Sequence, residues 1–402
     1  MTVSGLPARV AGQFPDALAR RLVSLRREIH ANPELSFREV ETAGRLAGAL
    51  RDLGIDAAMR VATTGVVARV RGRRPGAPVV AVRGDIDALP IHEATGLAFA
   101  STSAGVMHAC GHDVHASWAV GAAALLAASP AEGDVLVVLQ PAEETGKGAV
   151  AILESGALEG VRAIFGGHVD RRFEVGQVVA DEGPLAASAD TFEIEIAGGG
   201  AHAARPHESH DPIVAAAAIV SALQSIVSRR LNPATPGVVT IGTIHAGSAP
   251  NVIPDRAVLT GTVRAVEPMS RALMLDEVRA IATAVASGYG VAARVTVDMG
   301  TPPIVNPAQA TAWAREAAAS VVGRDNVVPL GFLNLAGEDF AHYMERIPGC
   351  FLRIGAREPG GAVIPAHAPT FYPAEESLFV GASVLAECAR VASAALASES
   401  AR

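Results

Sequence analysis

The stretch Met107-His-Ala-Cys-Gly-His-Asp-Val-His115 places one thiol, three imidazoles and one carboxylate within nine residues. The whole chain of 402 residues holds only 12 histidines and 3 cysteines, so these residue types are concentrated here. Thiolate and neutral imidazole are good ligands for zinc and related divalent metals. A buried cysteine beside surface histidines is the structural alternative. The spacing Cys110-x-His112, with Asp113 and His115 following, favours a metal site.

Carboxylate and imidazole side chains also follow short apolar stretches further along the chain. Asp134–Gln140 has the pattern of a buried strand, and Glu143 and Glu144 come shortly after it. Ala163–His168 is apolar up to a histidine where a strand should end, and His367 lies near a further apolar stretch. Open α/β sheets place their sites at the C-terminal ends of strands, so we expect these side chains to meet. A solvated loop would be the alternative for the two glutamates.

Composition and charge narrow the class of protein. Half of the residues are apolar and the formal net charge is −8, so the chain can bury a large core and lacks the basic balance of a nucleic-acid-binding protein. Three cysteines do not make a disulfide framework. The most apolar helix candidate, Trp118–Ala128, is too short to span a bilayer, and Leu378–Ala397 is interrupted by Glu387 and Arg390. We expect a soluble cytoplasmic protein with neither a nucleic-acid nor a membrane partner.

Helical and strand patterns alternate in the first part of the chain. The predicted helices are Ala17–His30, Glu39–Leu53, His115–Ala128 and Gly148–Ser155. The predicted strands are Val66–Val70, Val79–Val82 and Asp134–Leu139. Alternation of helices with short apolar strands is typical of an α/β layer fold.

The pattern changes near residue 185. Asp190–Ala197 alternates apolar and polar residues, which predicts a strand with one face in water. Helices and strands then follow in the order β-α-β-β-α-β, a recurrent antiparallel sheet with helices on one face. Ala308–Val322 returns to a helical pattern. We therefore predict an inserted α+β domain at residues 185–299, within a catalytic metal-binding α/β domain formed by residues 1–184 and 300–402.

Taken together, these residues resemble the M20 metallopeptidase family, and specifically its amidohydrolase branch. That branch includes N-acyl-amino-acid, hippurate and auxin-conjugate hydrolases. Nine motifs carry the resemblance in the family's order: Arg83-Gly-Asp-Ile-Asp-Ala-Leu-Pro90, Met107–His115, Gln140-Pro-Ala-Glu-Glu144, Gly167-His-Val169, Ala201-His-Ala-Ala-Arg-Pro-His207, Asn251-Val-Ile-Pro254, Gly261-Thr-Val-Arg264, Gly337-Glu-Asp-Phe340 and His367-Ala-Pro-Thr-Phe371. They extend along nearly the whole chain, which makes the resemblance specific.

The resemblance implies a zinc-peptidase-like catalytic α/β domain and an inserted domain that serves for dimerisation and as a lid. It also implies five metal ligands, namely Cys110, His112, Glu144, His168 and His367. Five ligands exceed the three protein ligands usual at a single catalytic zinc, which favours two divalent metal ions with Glu144 or Cys110 placed to serve both. The thiolate makes the site softer and leaves zinc, manganese, cobalt and nickel open as the metal.

Carboxylates beside these ligands are candidates for catalysis. Glu143 is the predicted general base, which takes a proton from a metal-activated water and delivers it to the departing amine. Asp87 is predicted to hold a metal-ligating imidazole in its tautomer. Strand alternation sends Asp85 to the same side, where a salt bridge to a neighbouring arginine would also explain it. The roles of Asp113 and His115 stay open, because either could be a further ligand.

Three residues of the predicted inserted domain match family positions that contact substrate. By resemblance, His202 reaches the active site of the partner subunit and stabilises the oxyanion. Asn251 holds a polar group of the substrate, and Arg264 suits a bidentate grip on an α-carboxylate. A surface histidine and an intramolecular salt bridge are the structural alternatives for His202 and Arg264.

The function that follows is metal-dependent hydrolysis of the amide bond of N-acyl-L-amino acids, by a homodimer or higher homo-oligomer. A metallo-dipeptidase or carboxypeptidase with the same machinery is the alternative within the family. A zinc-stabilised structural protein is disfavoured, because structural zinc sites are closed, four-coordinate and often rich in cysteine. A nucleophilic Cys110 is a third hypothesis.

Two local departures from the branch lie beside His168. Branch members commonly have Gly-Leu-His-Val where this chain has Gly166-Gly-His-Val169, and the following Asp170-Arg-Arg172 is atypical. We expect these changes to reshape the pocket wall without disturbing the metal site.

Overall fold

The computed structural model describes residues 6–400 of the chain. The helices are α1 (Ala8–Ala11), α2 (Asp16–Ala31), α3 (Val40–Asp52), α4 (His112–Ala128), α5 (Gly148–Glu154), α6 (Pro212–Ser225), α7 (Pro268–Gly288), α8 (Ala308–Val322), α9 (Ala341–Met344) and α10 (Ser377–Glu399). The strands are β1 (Ala57–Val61), β2 (Gly65–Val70), β3 (Val79–Asp85), β4 (Val135–Gln140), β5 (Val161–Glu174), β6 (Val178–Val179), β7 (Gly183–Ala186), β8 (Asp190–Ala197), β9 (Ala201–His202), β10 (Gly237–Ala246), β11 (Val252–Ile253), β12 (Arg256–Ala265), β13 (Ala292–Asp298), β14 (Ile304–Asn306) and β15 (Gly349–Arg357). Short helical turns lie at Glu143–Thr145, Pro206–Glu208 and Arg324–Asn326, and a π-helical turn at Ile226–Arg230 follows α6.

The described chain folds into two compact units. The first unit comprises the residues up to Gly183, Asn306–Phe332 and the residues from Asp339 onward, and the second comprises Pro184–Val305 and Leu333–Glu338. The short segment Leu333–Glu338 lies outside the range 185–299 predicted for the inserted domain. It joins the second unit because the Ala187 N–H donates a hydrogen bond to the Ala336 carbonyl at 3.2 Å.

A seven-stranded mixed sheet runs through the first unit in the order β1-β2-β4-β3-β5-β15-β6. Strands β4, β3, β5 and β15 are parallel, whereas β1, β2 and β6 are antiparallel to their neighbours. Every residue of β4 is buried, as expected for a strand covered on both faces. Helix α4 packs against β3 and against α10, which also contacts α8. Because β3 and β4 are parallel, they bring Asp85 and Gln140 to the same edge of the sheet.

A four-stranded antiparallel sheet in the order β10-β12-β8-β13 forms the second unit with α6 and α7. The chain order is β8-α6-β10-β12-α7-β13, which confirms the predicted β-α-β-β-α-β arrangement. In β8, Phe192 and Ile194 are buried while Glu193 between them is exposed, as the alternation predicts. The two-stranded ribbon of β9 and β11 pairs His202 with Val252.

Within residues 6–400, two helices, Pro212–Arg230 and Ser377–Glu399, are long and apolar enough to cross a membrane, judged by length and composition. Core helices pass the same test. In Ser377–Glu399, 72% of the most apolar stretch is buried inside the protein, whereas in Pro212–Arg230 the buried share is 33%. In α6 the buried residues Ala215, Ile219 and Leu223 pack into the core of the second unit. Packing therefore accounts for the apolar character of α10 and of one face of α6.

Strand β5 continues past the point where the sequence predicts its end. His168 was expected at the end of a strand, but β5 extends to Glu174 and His168 lies inside it. The cause is the parallel partner β15, whose Arg353 pairs with His168 and whose Arg357 pairs with Glu174. Strand β1 is not predicted from the sequence, because most of its residues are exposed and carry no apolar alternation.

A buried ionic cluster around His30 and Asp113 links α2 to α4. Asp113 accepts a hydrogen bond from Arg26 Nε at 2.7 Å and lies 3.0 Å from His30 Nδ1. The other ring nitrogen of His30 lies 3.1 Å from Glu93 Oε1. Burial disfavours the charged imidazole, but the charge of Asp113 and the hydrogen bonds to Asp113 and Glu93 outweigh it and raise the pKa of His30 to about 9. His30 is therefore a cation in the folded protein at neutral pH.

Replacement of His30 by glutamine is expected to remove a pH-dependent part of the stability. Because the pKa of His30 rises from 6.5 to about 9 on folding, its contribution is complete below pH 6.5 and is lost as the pH rises through 9. The free energy of unfolding of the unaltered chain, relative to His30→Gln, should fall by roughly 3 kcal/mol over this range. Both tryptophans, Trp118 and Trp313, lie in the first unit, so urea unfolding followed by tryptophan fluorescence measures the effect. A difference that stays constant with pH would contradict the assigned charge.

Candidate metal centre

The turn before α4 places Cys110 and His112 side by side. Gly111 begins the helix with φ of +91°, a conformation that glycine adopts without steric strain. A Cβ atom at Gly111 would lie 2.5 Å from Cγ2 of Val169 on β5. The absence of a side chain at Gly111 therefore brings both ligand-type residues against the strand that carries His168.

The structure brings all five predicted ligands together within the first unit. Cys110 Sγ lies 3.1 Å from His168 Nε2. Glu144 joins the other two, since its Oε1 lies 3.8 Å from His112 Nε2 and its Oε2 lies 3.5 Å from His367 Nε2. The ligand atoms of Cys110, His112 and His168 all lie within 4.8 Å of one another, and so do those of Cys110, Glu144 and His367. Cys110 belongs to both groups, as expected of a side chain that serves two ions.

Hydrogen bonds orient the two buried imidazoles. Nδ1 of His112 lies 3.0 Å from the carbonyl oxygen of Asp87 and 3.1 Å from its Oδ1. Nδ1 of His168 lies 2.7 Å from the Val169 carbonyl oxygen and donates to it. Both rings therefore direct Nε2 toward the centre, which is the arrangement that fixes the tautomer of a metal ligand. Burial, followed by the nearby charges of His115 and Arg353, lowers the pKa of His168, which keeps it neutral.

Two buried polar atoms at this centre have no hydrogen-bond partner among residues 6–400, Nε2 of His112 and Oε1 of Glu144. Buried polar atoms are nearly always paired, so their convergence points to a missing partner. An imidazole nitrogen and a carboxylate oxygen can share a divalent cation as that partner. With the thiol of Cys110 beside them, the donor set fits zinc and related metals.

The electrostatics of the centre also favour cations. Burial raises the pKa of the Cys110 thiol to about 12, so a nearby cation is needed to hold it as the thiolate ligand. Asp85 and Asp87 are buried beside it. Burial disfavours their charged forms, but the charge of Arg83 at Asp85 and the hydrogen bond of His112 at Asp87 outweigh it and hold both pKa values below the usual range. Both side chains are therefore carboxylates.

Glu143 lies beside the ligands on the turn that follows β4. Its Oε2 lies 3.9 Å from His112 Nε2, and its Oε1 accepts a hydrogen bond from the Asp339 N–H at 3.3 Å. The next residue, Glu144, donates its N–H to Oδ2 of Asp87 at 3.1 Å. Asp87 thus contacts both His112 and the glutamate turn, so it positions two parts of the centre at once.

A buried network of Arg83, Gln140 and Asp339 supports this turn and is not evident from the sequence. Gln140 accepts a hydrogen bond from Arg83 Nε at 2.8 Å and donates one to Asp339 Oδ1 at 2.9 Å. Asp339 also pairs with Arg83 at 3.0 Å and accepts the N–H of Ala149 at 2.9 Å. All three residues stand in the family motifs, which is the only sequence signal for them. Their long sequence separations hide the contact.

His115 and Asp113, whose roles the sequence left open, are both engaged elsewhere. His115 Nδ1 lies 2.6 Å from Asp85 Oδ1, and its Nε2 accepts the Val169 N–H at 3.0 Å. Neither ring nitrogen is left for a metal. Asp85 also forms a salt bridge with Arg83, which is the structural alternative given for this residue in the sequence analysis. Asp113 lies in the ionic cluster with His30 described above.

The second unit carries the three remaining predicted site residues. His202 and Asn251 line a cavity of about 670 Å³. Nδ1 of His202 accepts the Ala204 N–H at 3.1 Å, which leaves the proton of the neutral ring on the exposed Nε2. Arg264 on β12 is half-buried and forms no ion pair within residues 6–400, so the salt-bridge alternative receives no support there.

Residues 81–391 match the sequence profile of peptidase family M20/M25/M40. The chain belongs to this family. N-acetylcysteine deacetylase of Bacillus subtilis (strain 168) is 42% identical over 382 residues, which span 93% of this chain and 97% of that protein. Thermostable carboxypeptidase 2 of Saccharolobus solfataricus is 36% identical over 90% of this chain and 92% of that protein. The crystal structure of Bacillus subtilis YXEP, described as a dinuclear metal binding peptidase from M20 family, has a TM-score of 0.83 at 39% identity, covering 94% of this chain and 99% of that one.

These comparisons test the predictions at the level of the family. The predicted family, the α/β fold with an α+β unit, and the class of metal-dependent hydrolase are confirmed. The assignment of individual residues to metal binding, substrate binding and catalysis stays a prediction, which the proximity of the five ligand-type side chains supports for the metal ligands.

Cys110→Ser is expected to lose metal, because Cys110 contributes to both groups of ligand atoms. At least one of two bound ions should be lost or bound about 100-fold more weakly, measured by equilibrium dialysis with elemental analysis. Cys350→Ser is the matched control: this cysteine is also buried, and burial raises its pKa to about 12 as well, but it lies beside Thr311 in the core. Full metal content in Cys110→Ser would instead support the hypothesis of a cysteine nucleophile.

Proposed function

We propose that this M20-family enzyme hydrolyses the amide bond of N-acyl-L-amino acids to a carboxylic acid and a free amino acid, with two divalent metal ions. The observation that carries the proposal is a cluster of five ligand-type side chains, two of which hold a buried polar atom without a hydrogen-bond partner among the described residues. A sixth side chain, Glu143, lies beside them. The 42% identity to an N-acetylcysteine deacetylase supports an N-acyl amino acid as the substrate class.

The ions would be held by Cys110, His112, Glu144, His168 and His367. When bound, they supply Lewis acidity, which lowers the pKa of water and polarises the amide carbonyl. The protein itself orients the ligands for this task, since Asp87 positions His112 and the Val169 carbonyl positions His168. Zinc, manganese, cobalt and nickel are all compatible with this donor set.

Glu143 serves as general base and then as general acid. It takes a proton from the attacking water and delivers it to the departing amine nitrogen. The Asp339 N–H holds Oε1 at 3.3 Å, so the carboxylate keeps one orientation while Oε2 faces the ligands. An amine is a poor leaving group unless it is protonated, so this transfer is needed for the carbon–nitrogen bond to break.

The second unit is proposed to bind the substrate. His202 of one subunit would donate Nε2–H to the amide oxygen, as negative charge develops on it, in the site of a partner subunit. Asn251 would bind a polar group of the substrate and Arg264 the α-carboxylate. This arrangement requires a homodimer or a larger homo-oligomer, and we propose that the assembly is cytoplasmic.

Exchange of each glutamate for glutamine distinguishes the base from the ligand. Glu143→Gln is expected to keep two ions and to lower kcat by about 100- to 10,000-fold, because the proton acceptor is removed. Glu144→Gln is expected to lose metal, since it removes a charged ligand. Metal analysis and initial rates on the same preparations measure both effects. Loss of metal by Glu143→Gln, with retention by Glu144→Gln, would show that the two roles are reversed.

A substrate panel separates N-acyl-amino-acid hydrolysis from peptidase activity, which the relative named thermostable carboxypeptidase 2 makes the second candidate. N-acetyl and N-benzoyl amino acids are expected to have kcat/KM values at least about tenfold above those of dipeptides with the same C-terminal residue. The measurement is release of the free amino acid with each metal in turn. Fast turnover of dipeptides alone would replace the proposed substrate class with the peptidase one.

A further inference from the structure

Arg171 is an almost fully buried arginine that none of the proposed catalytic steps uses. Its side chain is 1% exposed. It stands on β5, three residues after His168. A buried guanidinium is costly unless its donors are satisfied, so its partners show what it does in the fold.

All five N–H donors of Arg171 are directed at the end of β15 and the loop that follows it. Nη1 donates to the Ala356 carbonyl at 3.4 Å and to the Tyr372 carbonyl at 2.8 Å. Nε and Nη2 donate to the Ala362 carbonyl at 3.3 and 2.9 Å, and Nη2 also contacts Glu358 Oε2 at 2.8 Å. The guanidinium carbon lies 4.4 Å from the centre of the Tyr372 ring. One side chain therefore ties both ends and the middle of the segment 356–372.

The tied segment carries His367. It leaves the sheet at the end of β15 and returns to the core only shortly before α10, and the His367 side chain is 54% exposed. His367 itself has φ of +68°, a conformation that residues with a side chain rarely adopt, and its N–H donates to the Ala109 carbonyl at 2.8 Å. A strained residue on a long loop keeps its conformation only where surrounding contacts fix the loop.

An irregularity in the sheet accounts for the direction of Arg171. Gly355 of β15 pairs with Asp170 of β5, and the next pair is Arg357 with Glu174. Strand β15 thus advances two residues while β5 advances four, so Arg171 lies where β5 bulges. Such bulges re-aim a side chain away from the regular alternation of a strand. The bulge and Arg171 therefore coincide in β5.

We propose that Arg171 is a positioning residue for the metal centre: it holds the loop of His367 at β5, the same strand that presents His168. One strand would then fix two ligands, one directly and one through the guanidinium. Lysine could not substitute, because its single ammonium cannot reach three carbonyl groups in a planar fork. The proposal rests on the proposed function, in which His367 is a ligand.

Arg171→Met and Arg171→Lys test the proposal, with Arg172→Met as the matched control. Arg172 neighbours Arg171, but its side chain is 42% exposed, pairs with Asp170 and stacks on Phe332, away from the loop. Hydrogen exchange of the metal-free protein reads the loop directly through the N–H groups of His367 and Ala374, while the β3 and β4 amides report whether the fold is retained. Equilibrium dialysis with Co²⁺ gives the number of ions bound and their affinities, and His367→Ala is analysed in parallel.

In Arg171→Met, the loop amides are expected to exchange at least about tenfold faster with the sheet amides unchanged. One Co²⁺ ion should bind about 10- to 100-fold more weakly, as it does in His367→Ala, and excess Co²⁺ should restore turnover. Arg171→Lys should lie close to Arg171→Met, and Arg172→Met close to the unaltered protein.

Two results would overturn the positioning role: native exchange of the loop amides in Arg171→Met, or faster exchange with native Co²⁺ affinity while His367→Ala loses an ion. A third result has a different meaning. If His367→Ala itself binds two ions with native affinity, the ligand assignment under the proposed function fails, and the role of Arg171 toward the metals fails with it. General unfolding of Arg171→Met would appear as faster exchange of the sheet amides. In that case Arg171→Lys, which keeps the charge and the aliphatic stem, is the variant that tests the positioning role.

Discussion

The centre of the first unit depends on hydrogen bonds and ion pairs that stabilise two buried carboxylates, Asp85 and Asp87. Both lie at or just beyond the end of β3 and are almost inaccessible to solvent. A buried carboxylate is tolerated only when it is paired and hydrogen-bonded, so each recruits partners from other elements. Asp87 takes the ring of His112, and also the hydroxyl of Ser36 at 2.7 Å. These bonds join the helix, the sheet and the glutamate turn.

The ligands are consequently held by residues that are not ligands. His115 shows this most clearly. It lies in the same motif as Cys110, but one ring nitrogen contacts Asp85 and the other accepts the Val169 N–H. Val169 in turn accepts the Nδ1 proton of His168. A series of hydrogen bonds through Asp85, His115, Val169 and His168 therefore connects the end of β3 to a ligand on β5. A centre built this way loses little conformational freedom when cations bind, which favours tight binding.

Local periodicity was sufficient to predict much of the fold, and contacts distant in sequence explain what it could not predict. The strands around Val80 and Val137, and the β-α-β-β-α-β unit, follow from burial patterns that each segment carries within itself. The interior position of His168 depends on β15, almost 200 residues away, and so does the bulge at Arg171. Residue types and spacing were enough to indicate a metal site at Cys110 and His112, and the family resemblance supplied the full set of ligands. The partners of Asp339 could not be predicted from the sequence, because its contacts come from other elements of the chain.

The adjacent carboxylates of Glu143 and Glu144 show how a fold can give two identical groups different roles. Backbone direction separates them: the Glu144 N–H is committed to Asp87, which turns its side chain between His112 and His367. There, its Oε1 meets no donor among the described residues, so a cation is the partner that would satisfy it. Glu143 instead accepts the backbone N–H of Asp339 with Oε1, while its Oε2 lies 3.9 Å from His112 Nε2. A carboxylate bound to a cation is a poor base, whereas one that is not a ligand can still accept a proton. The asymmetry therefore favours Glu143 as the proton carrier on grounds independent of any family motif.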